Sequence, residues 1–208
     1  MTGNRIELNP NMQYILAGDI SASMQTPDKK CAGMERYPYM LEKFKSFITE
    51  AMDFDPDGPT VMLFGEKVQI FPNTTLEAVD SKLSRVTYEG FTNTHLVVEE
   101  AFNIHKKEKS ELSKEGKSHP GTVLFIFTDG QPTNQAALKR AIVNVANSLD
   151  REDEFNIGFL LVGTIDAGLR QYLDDLDDNL KEAKYDIVGT HEVEGITFLK
   201  AVHNAVNE

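Results

Sequence analysis

The sequence predicts an α/β fold with a doubly wound, mostly parallel central sheet, one antiparallel edge strand and helices on both faces. Short apolar runs alternate along the chain with longer stretches in which apolar residues recur at helical spacing. The apolar runs also lack strict alternation with polar residues, as in Val123–Phe127. Such runs are typical of strands that helices cover on both sides.

Six strands are predicted from these apolar runs. The second and third are separated only by Gly65, Glu66 and Lys67, which is too short for a parallel crossover. These two strands must therefore form an antiparallel hairpin, which places one reversed strand at an edge of the sheet. The predicted strands are Tyr14–Ala17, Thr60–Phe64, Val68–Phe71, Val123–Phe127, Ile157–Val162 and Tyr185–Val188.

Helices are predicted where apolar residues recur every three or four positions. The first begins near Tyr39, with Pro38 in its first turn, where the missing N–H of proline is not needed. Leu138–Leu149 and Thr197–Val206 show the same periodicity. The polar stretch Lys106–His119 is predicted to be a helix end followed by a loop.

Length and composition indicate one globular domain over residues 1–208. The usual domain has about 100–200 residues, and no shift in composition marks a boundary within the 208 residues of this chain. Hydrophobic residues make up 40% and charged residues 26%, which is ordinary for a globular protein. The four histidines His105, His119, His191 and His203 show no metal-like spacing and are predicted to be solvated.

The charge of the chain excludes two classes of partner. Asp and Glu number 33 against 21 Lys and Arg, a formal net charge of -12, and no run of basic residues interrupts this balance. Nucleic acid and membrane are therefore not expected as partners, because binding to phosphates depends on clustered cations. Met1–Gln13 contains no apolar export segment, and a lone Cys31 offers no disulfide, so a cytoplasmic location is expected.

Polar clusters follow three of the apolar segments. Asp19, Ser21 and Ser23 follow the first predicted strand, Thr92 lies just after Gly90, and Asp129 follows the strand Val123–Phe127. The carboxyl ends of strands in an open α/β sheet share one crevice, where ligands bind. These side chains are hard oxygen donors, which suit Mg²⁺, Mn²⁺ or Ca²⁺.

The pattern Asp19-x-Ser21-x-Ser23, followed by Thr92 and by Asp129 in Thr-Asp-Gly, resembles the metal-ion-dependent adhesion site (MIDAS) of von Willebrand factor type A (vWA) domains. The resemblance covers essentially the whole chain and implies the Rossmann-like vWA fold. It implies that Ser21, Ser23 and Thr92 ligate the metal, directly or through water. Asp19 and Asp129 would act mostly through bound waters and hydrogen bonds. An Asp or Glu of a partner protein would complete the coordination.

Two positions depart from the family pattern without removing a donor. Ala22 and Phe91 stand where glycine is common, and Phe91 brings an apolar side chain close to the expected metal. Four segments resemble stand-alone family members, either cytosolic or phage-encoded, including those of tellurium-resistance and stress-response systems. These segments are Gly90–Thr94, Thr128–Pro132, Leu173–Asp178 and Ala183–Val188.

The predicted function is a non-enzymatic, cation-dependent protein-interaction module, and two alternatives stay open. One is a structural component of a larger particle such as a phage virion, which would also change the expected location. The other is a Mg²⁺-dependent phosphoryl-transfer enzyme in which Asp19 accepts the phosphoryl group. Against the enzyme, Ser21 stands where a second acid would be expected, and the sequence has no phosphate loop or nucleophile elbow. No catalytic residue is assigned.

Overall fold

The computed structural model describes residues 12–55 and 57–207. Within this part of the chain, six strands form one sheet: β1 (Gln13–Asp19), β2 (Thr60–Phe64), β3 (Val68–Phe71), β4 (Thr122–Thr128), β5 (Phe155–Leu161) and β6 (Val188–Glu192). Their order across the sheet is β3-β2-β1-β4-β5-β6. Neighbouring strands pair in parallel except at β2 and β3, which form the antiparallel edge.

Helices connect the strands and cover the two faces of the sheet. One short helical turn, Leu76–Ala78, continues as a π-helical turn over Val79–Leu83. The helices are α1 (Arg36–Ala51), α2 (Leu76–Ala78), α3 (Thr94–Lys114), α4 (Gln135–Ser148), α5 (Ala167–Asp178) and α6 (Phe198–Asn207). Among the described residues, no helix combines the length and apolar character needed to cross a membrane.

Two hydrophobic cores lie on opposite sides of the sheet because successive strand residues point to opposite faces. In β1, Tyr14 and Leu16 belong to the core that α1 and α6 cover. Ile15 and Ala17 belong to the core that α3, α4 and α5 cover. Every residue of β4 and β5 is buried, as expected for central strands with helices on both faces. The predicted fold class is therefore confirmed.

The bounds of two predicted elements differ from the structure, and the prediction for the polar stretch Lys106–His119 agrees with it. The last strand is Val188–Glu192 rather than Tyr185–Val188, because this edge strand turns partly exposed after Gly189 and its polar residues carry little apolar signal. Helix α1 begins at Arg36 rather than near Tyr39. Pro38 lies in its first turn, as predicted. Helix α3 ends at Lys114 and a loop follows, so the polar stretch Lys106–His119 is a helix end followed by a loop, as predicted.

The prediction of solvated histidines is wrong for His105 and His119, which are 0% and 4% exposed. The His105 ring lies between Thr122 and Glu154, with Nδ1 2.9 Å from Thr122 Oγ1 and Nε2 3.0 Å from Glu154 Oε1. Lys109 Nζ donates to the same carboxylate oxygen at 2.5 Å. Polar partners inside the protein thus take the place of the solvent to which the sequence pattern predicted that His105 would be exposed.

We expect acid to destabilise the protein through Glu154. Burial alone would raise its pKa, but hydrogen bonds from Lys109, the Asp150 amide and His105 outweigh burial and lower the pKa from 4.5 to about 2. The unfolded chain therefore takes up the proton first as the pH falls. The carboxylate's contribution to the free energy of unfolding, about 3 kcal/mol, is complete above about pH 4.5 and is lost as the pH falls towards 2.

Urea unfolding of wild type and Glu154→Gln at a series of pH values measures this contribution. The variant should be less stable near neutral pH, and its stability should fall less steeply in acid. Glu152→Gln, an exposed change in the same turn, is the matched control and should keep the wild-type slope. Equal slopes for wild type and Glu154→Gln would contradict the expectation.

Candidate metal centre

The candidate site lies where the sheet topology reverses direction. The chain runs from β1 to β2 and β3 on one side and then crosses to β4 on the other side of β1. In such sheets a crevice lies between the carboxyl ends of the two strands at the reversal. Asp19 is the last residue of β1, and Asp129 follows Thr128, the last residue of β4. The fold therefore brings the first and last parts of the predicted motif together.

Asp19 is a fully buried carboxylate with hydrogen bonds on both oxygens. Oδ1 accepts from the Ser21 amide at 2.7 Å, and Oδ2 accepts from Thr128 Oγ1 at 2.7 Å. Burial raises the pKa of Asp19 to about 7; the Thr128 hydrogen bond opposes this rise and the nearby charge of Asp129 adds to it. Within the described chain, no cation forms an ion pair with Asp19. A cation bound here would supply the missing countercharge and favour the ionised form.

The hydroxyls of Ser21 and Ser23 lie side by side next to Asp129. Their oxygens are 3.0 Å apart, and Ser23 Oγ donates to Asp129 Oδ1 at 2.8 Å. Because a hydroxyl has one proton, Ser21 must be the donor in the contact between the two serines. Adjacent oxygens around an octahedral Mg²⁺ are about 2.9 Å apart, given bonds of about 2.0–2.1 Å. The serine pair therefore already has the spacing of two neighbouring ligands.

Thr92 lies on the loop before α3, and backbone hydrogen bonds hold this loop against the other two segments. The Ala22 amide donates to the Glu89 carbonyl at 2.9 Å, which ties the loop to the segment after β1. The Thr92 amide donates to Thr133 Oγ1 at 2.9 Å, and the Thr133 amide returns a bond to the Thr92 carbonyl at 3.0 Å. Thr92 is only 7% exposed. The loop that carries Thr92 is thus tied to the segment after β1 and to the segment after β4.

The chemistry of the donor set fits a hard divalent cation. Asp19, Ser21, Ser23 and Asp129 form one connected hydrogen-bonded group through the Ser21 amide and the two serine hydroxyls, and Thr128 donates to Asp19 from outside it. Over the described ranges, no cluster of three or more His, Cys, Asp or Glu side chains could hold a metal. The polar side chains of this site offer hydroxyl and carboxylate oxygens, and such ligands suit Mg²⁺, Mn²⁺ or Ca²⁺ rather than zinc or copper.

Arg36 and Asp28 border the site, and sequence reasoning missed both. Arg36 Nη1 donates to Asp129 Oδ2 at 2.5 Å, and Nη2 donates to Asp28 Oδ2 at 2.9 Å. Burial would raise the pKa of Asp28, but hydrogen bonds from Thr164, Arg36 and the Lys30 amide hold it well below its usual range. Arg36 and Asp129 are 93 positions apart in the chain, and the separation of Arg36 from Asp28 matches no recognised motif, so the sequence did not indicate these contacts.

The described chain is a doubly wound α/β sheet with a hydroxyl-rich crevice at its topological reversal. No protein-family model matches the sequence, and no curated protein matches it either.

Solved structures resemble the chain in fold. A point mutant of the PilB minor pilin from Streptococcus sanguinis matches with a TM-score of 0.56 and 12% identity, covering 93% of this chain and 59% of PilB. The chain therefore spans about three fifths of the PilB chain. The manganese-loaded TRAP protein of Plasmodium vivax has a TM-score of 0.48 and 13% identity, covering 94% of this chain and 74% of TRAP. Proximal thread matrix protein 1 from the mussel byssus, with a zinc-occupied MIDAS motif, has a TM-score of 0.48 and 17% identity. The match covers 94% of this chain and 47% of that protein. At these identities the similarity concerns the fold alone.

Proposed function

We propose that this protein is a divalent-cation-dependent protein-interaction module. Ser21, Ser23 and Thr92 would hold Mg²⁺, Mn²⁺ or Ca²⁺, while Asp19 and Asp129 would act through hydrogen bonds and bound water. The observation that carries the proposal is the serine pair at 3.0 Å beside a fully buried carboxylate. A partner protein would supply an Asp or Glu to the cation.

The charges at the site explain why the ligand would be acidic. Neutral hydroxyls do not cancel the charge of a divalent cation, so the bound ion would attract a carboxylate strongly in this partly buried crevice. The chain as a whole has a net charge of -12 and would otherwise repel an acidic partner. A bound cation would make the charge at the site positive, and recognition of an acidic partner would then depend on the metal.

The position of Asp19 supports a non-enzymatic role over phosphoryl transfer. A phosphoryl-accepting carboxylate needs an oxygen that the substrate can reach. Asp19 is 0% exposed, and both of its oxygens already accept hydrogen bonds, from Ser21 and Thr128. This arrangement suits a carboxylate that organises neighbouring groups better than one that attacks a phosphate.

Selection of random peptides on the immobilised, Mg²⁺-loaded protein tests the proposal. We expect the selected peptides to share an Asp or Glu, and EDTA should release them. Changing that acid to Asn or Gln in a selected peptide should reduce its affinity at least about tenfold, because the charged ligand of the cation is lost. Peptides that bind equally well in EDTA would contradict the proposal.

Phe91 should contribute to the affinity for a partner but not for the cation. Its side chain is 48% exposed, directly before Thr92, on a loop whose backbone is fixed by the bond from the Asn93 amide to the Gly65 carbonyl. Replacing Phe91 by alanine should weaken a selected peptide about tenfold by removing apolar contact, and should leave the metal affinity unchanged. Ile70→Ala, at 41% exposure on edge strand β3, is the matched control. A fall in metal affinity in Phe91→Ala would contradict this division of roles.

A further inference from the structure

The side chain of Arg36 lies between two buried carboxylates at the edge of the candidate metal site. We propose that Arg36 holds Asp129 out of direct contact with the bound cation and thereby reserves a coordination position for the partner's carboxylate. This inference rests on the proposed function and assigns a positioning role to a residue outside the predicted ligand set.

Each of the three guanidinium nitrogens of Arg36 already donates to a carboxylate. Nη1 donates to Asp129 Oδ2 at 2.5 Å, while Nη2 and Nε donate to Asp28 Oδ2 at 2.9 and 3.3 Å. The Arg36 side chain is 14% exposed, and those of Asp129 and Asp28 are 0% and 6% exposed. Because the guanidinium is planar and binds both acids through its fork, it acts on the site through Asp129 and is not presented to an incoming ligand.

Asp28 and Gly163 hold the guanidinium in place. Asp28 also accepts from the Thr164 amide and hydroxyl and from the Lys30 amide, each at 2.9 Å. Gly163 has a φ of +80°, and a Cβ on it would lie 2.8 Å from Arg36 Nε. The loop after β5 therefore packs against Arg36 at a distance that only glycine permits. Arg36 is fixed by contacts from separate loops.

Both oxygens of Asp129 already accept a hydrogen bond. Oδ1 accepts from Ser23, and Oδ2 accepts from Arg36. Direct coordination through Oδ2 would compete with the charge-assisted hydrogen bond from Arg36, and such bonds are stronger than those between neutral groups. Arg36 thus favours an arrangement in which Asp129 supports Ser23 without binding the metal.

This arrangement affects both the metal and the partner. With Asp129 withheld, the chain's direct ligands are neutral hydroxyls, so the cation keeps most of its charge for an external carboxylate. The same arrangement weakens the binding of metal alone, most of all for Ca²⁺, whose affinity rises with the number of carboxylate ligands. Arg36 would therefore lower the affinity for the metal alone and raise the affinity of the metal-loaded protein for its partner.

Metal titration of wild type and Arg36→Met tests the inference. The variant frees Asp129 and removes a positive charge near the cation, so we expect Ca²⁺ and Mn²⁺ to bind about tenfold more tightly, with a smaller gain for Mg²⁺. Water-proton relaxation should show fewer water molecules on bound Mn²⁺, because Asp129 replaces one of them. A purely structural role would instead lower metal affinity, as loss of a supporting contact usually does.

Three further variants separate the possible causes. Arg170→Met removes an exposed positive charge that pairs with Glu192, and it should leave metal affinity and the number of bound waters unchanged. Asp28→Asn leaves Arg36 free to remain on Asp129, so metal affinity should not rise. Arg36→Lys keeps the charge but cannot bridge both acids, and it should give a smaller increase. This variant also carries the test if Arg36→Met does not fold.

The outcomes distinguish this inference from the proposed function. If wild type binds metal but Arg36→Met and Arg36→Lys bind it equally or more weakly, with unchanged water on Mn²⁺, the positioning role is wrong and the metal site stands. If wild type binds none of the three ions, the proposed function itself fails, and the inference fails with it.

Discussion

Replacing Ser21 and Ser23 together by alanine is expected to abolish saturable binding of Mg²⁺ and Mn²⁺, a loss of at least about 100-fold in affinity. The two hydroxyls are 3.0 Å apart and would supply two neighbouring oxygens to a divalent cation. Ser23 also holds Asp129 by a hydrogen bond of 2.8 Å, which the double variant loses. Isothermal titration calorimetry of the metal-free proteins measures the difference.

The fold of the double variant should persist, because the two changes remove little buried apolar contact. Ser21 is 5% exposed and Ser23 is exposed, and we expect a loss of roughly 1–2 kcal/mol in the free energy of unfolding. Ser81→Ala/Ser84→Ala removes two exposed hydroxyls that donate only to backbone carbonyls, and it is the matched control. Wild-type metal affinity in the Ser21/Ser23 variant would exclude these hydroxyls as ligands.

Replacing Phe198 by alanine is expected to cause the largest loss of stability, about 3–5 kcal/mol. Phe198 is fully buried at the start of α6. Its ring makes edge contacts with Tyr14 at 4.9 Å, Phe47 at 5.7 Å and Phe125 at 6.3 Å between centroids. The substitution leaves a cavity between the last helix, α1 and the sheet, and urea unfolding measures its cost.

Leu199→Ala is the matched control for Phe198, because it truncates the next residue of the same helix at 37% exposure. We expect this control to change the free energy of unfolding by less than about 1 kcal/mol. A similar small loss in Phe198→Ala would mean that α6 is not anchored by this aromatic cluster.

The fold could be predicted because buried strands contain runs of apolar residues that are recognisable in the sequence. The uninterrupted apolar run Val123–Phe127 predicts a central strand, and the structure extends it by one residue at each end as β4. The short Gly65–Lys67 connection fixes the antiparallel edge, as the pairing of β2 and β3 confirms. The last strand was misplaced because β6 is an edge strand with a half-exposed, polar second half. The bounds of β6 follow from its pairing with β5, and no local sequence pattern indicates that pairing.

The buried histidines show where local patterns fail. His105 lies on α3 in a stretch with many charged residues, which suggests solvent exposure. Its burial depends on Thr122 and Glu154, which come from β4 and from the turn before β5. A polar residue can enter the interior when distant partners satisfy it, and single-sequence periodicity does not record those partners.

The candidate site could be predicted only in part, for a similar reason. Asp19, Ser21 and Ser23 are close in sequence, and their spacing carries a family resemblance that also includes Thr92 and Asp129. Their role as ligands remains a prediction, which the geometry of the crevice supports. The contacts of Arg36 with Asp28 and Asp129 span two loops and the first turn of α1, so they became visible only in the folded chain. The sequence thus indicated the candidate donors, whereas the fold revealed the groups that restrain them.

Crystallographic location of Mn²⁺ by anomalous diffraction tests the central claim most directly. Crystals of wild type soaked in Mn²⁺ should show one strong anomalous peak within bonding distance of Ser21 Oγ and Ser23 Oγ, on the side of the crevice that Thr92 borders. The Ser21→Ala/Ser23→Ala variant should lack this peak. A peak confined to the acidic face of α5 at Asp174–Asp178, or no ordered Mn²⁺ between the two serines in wild type, would contradict the account.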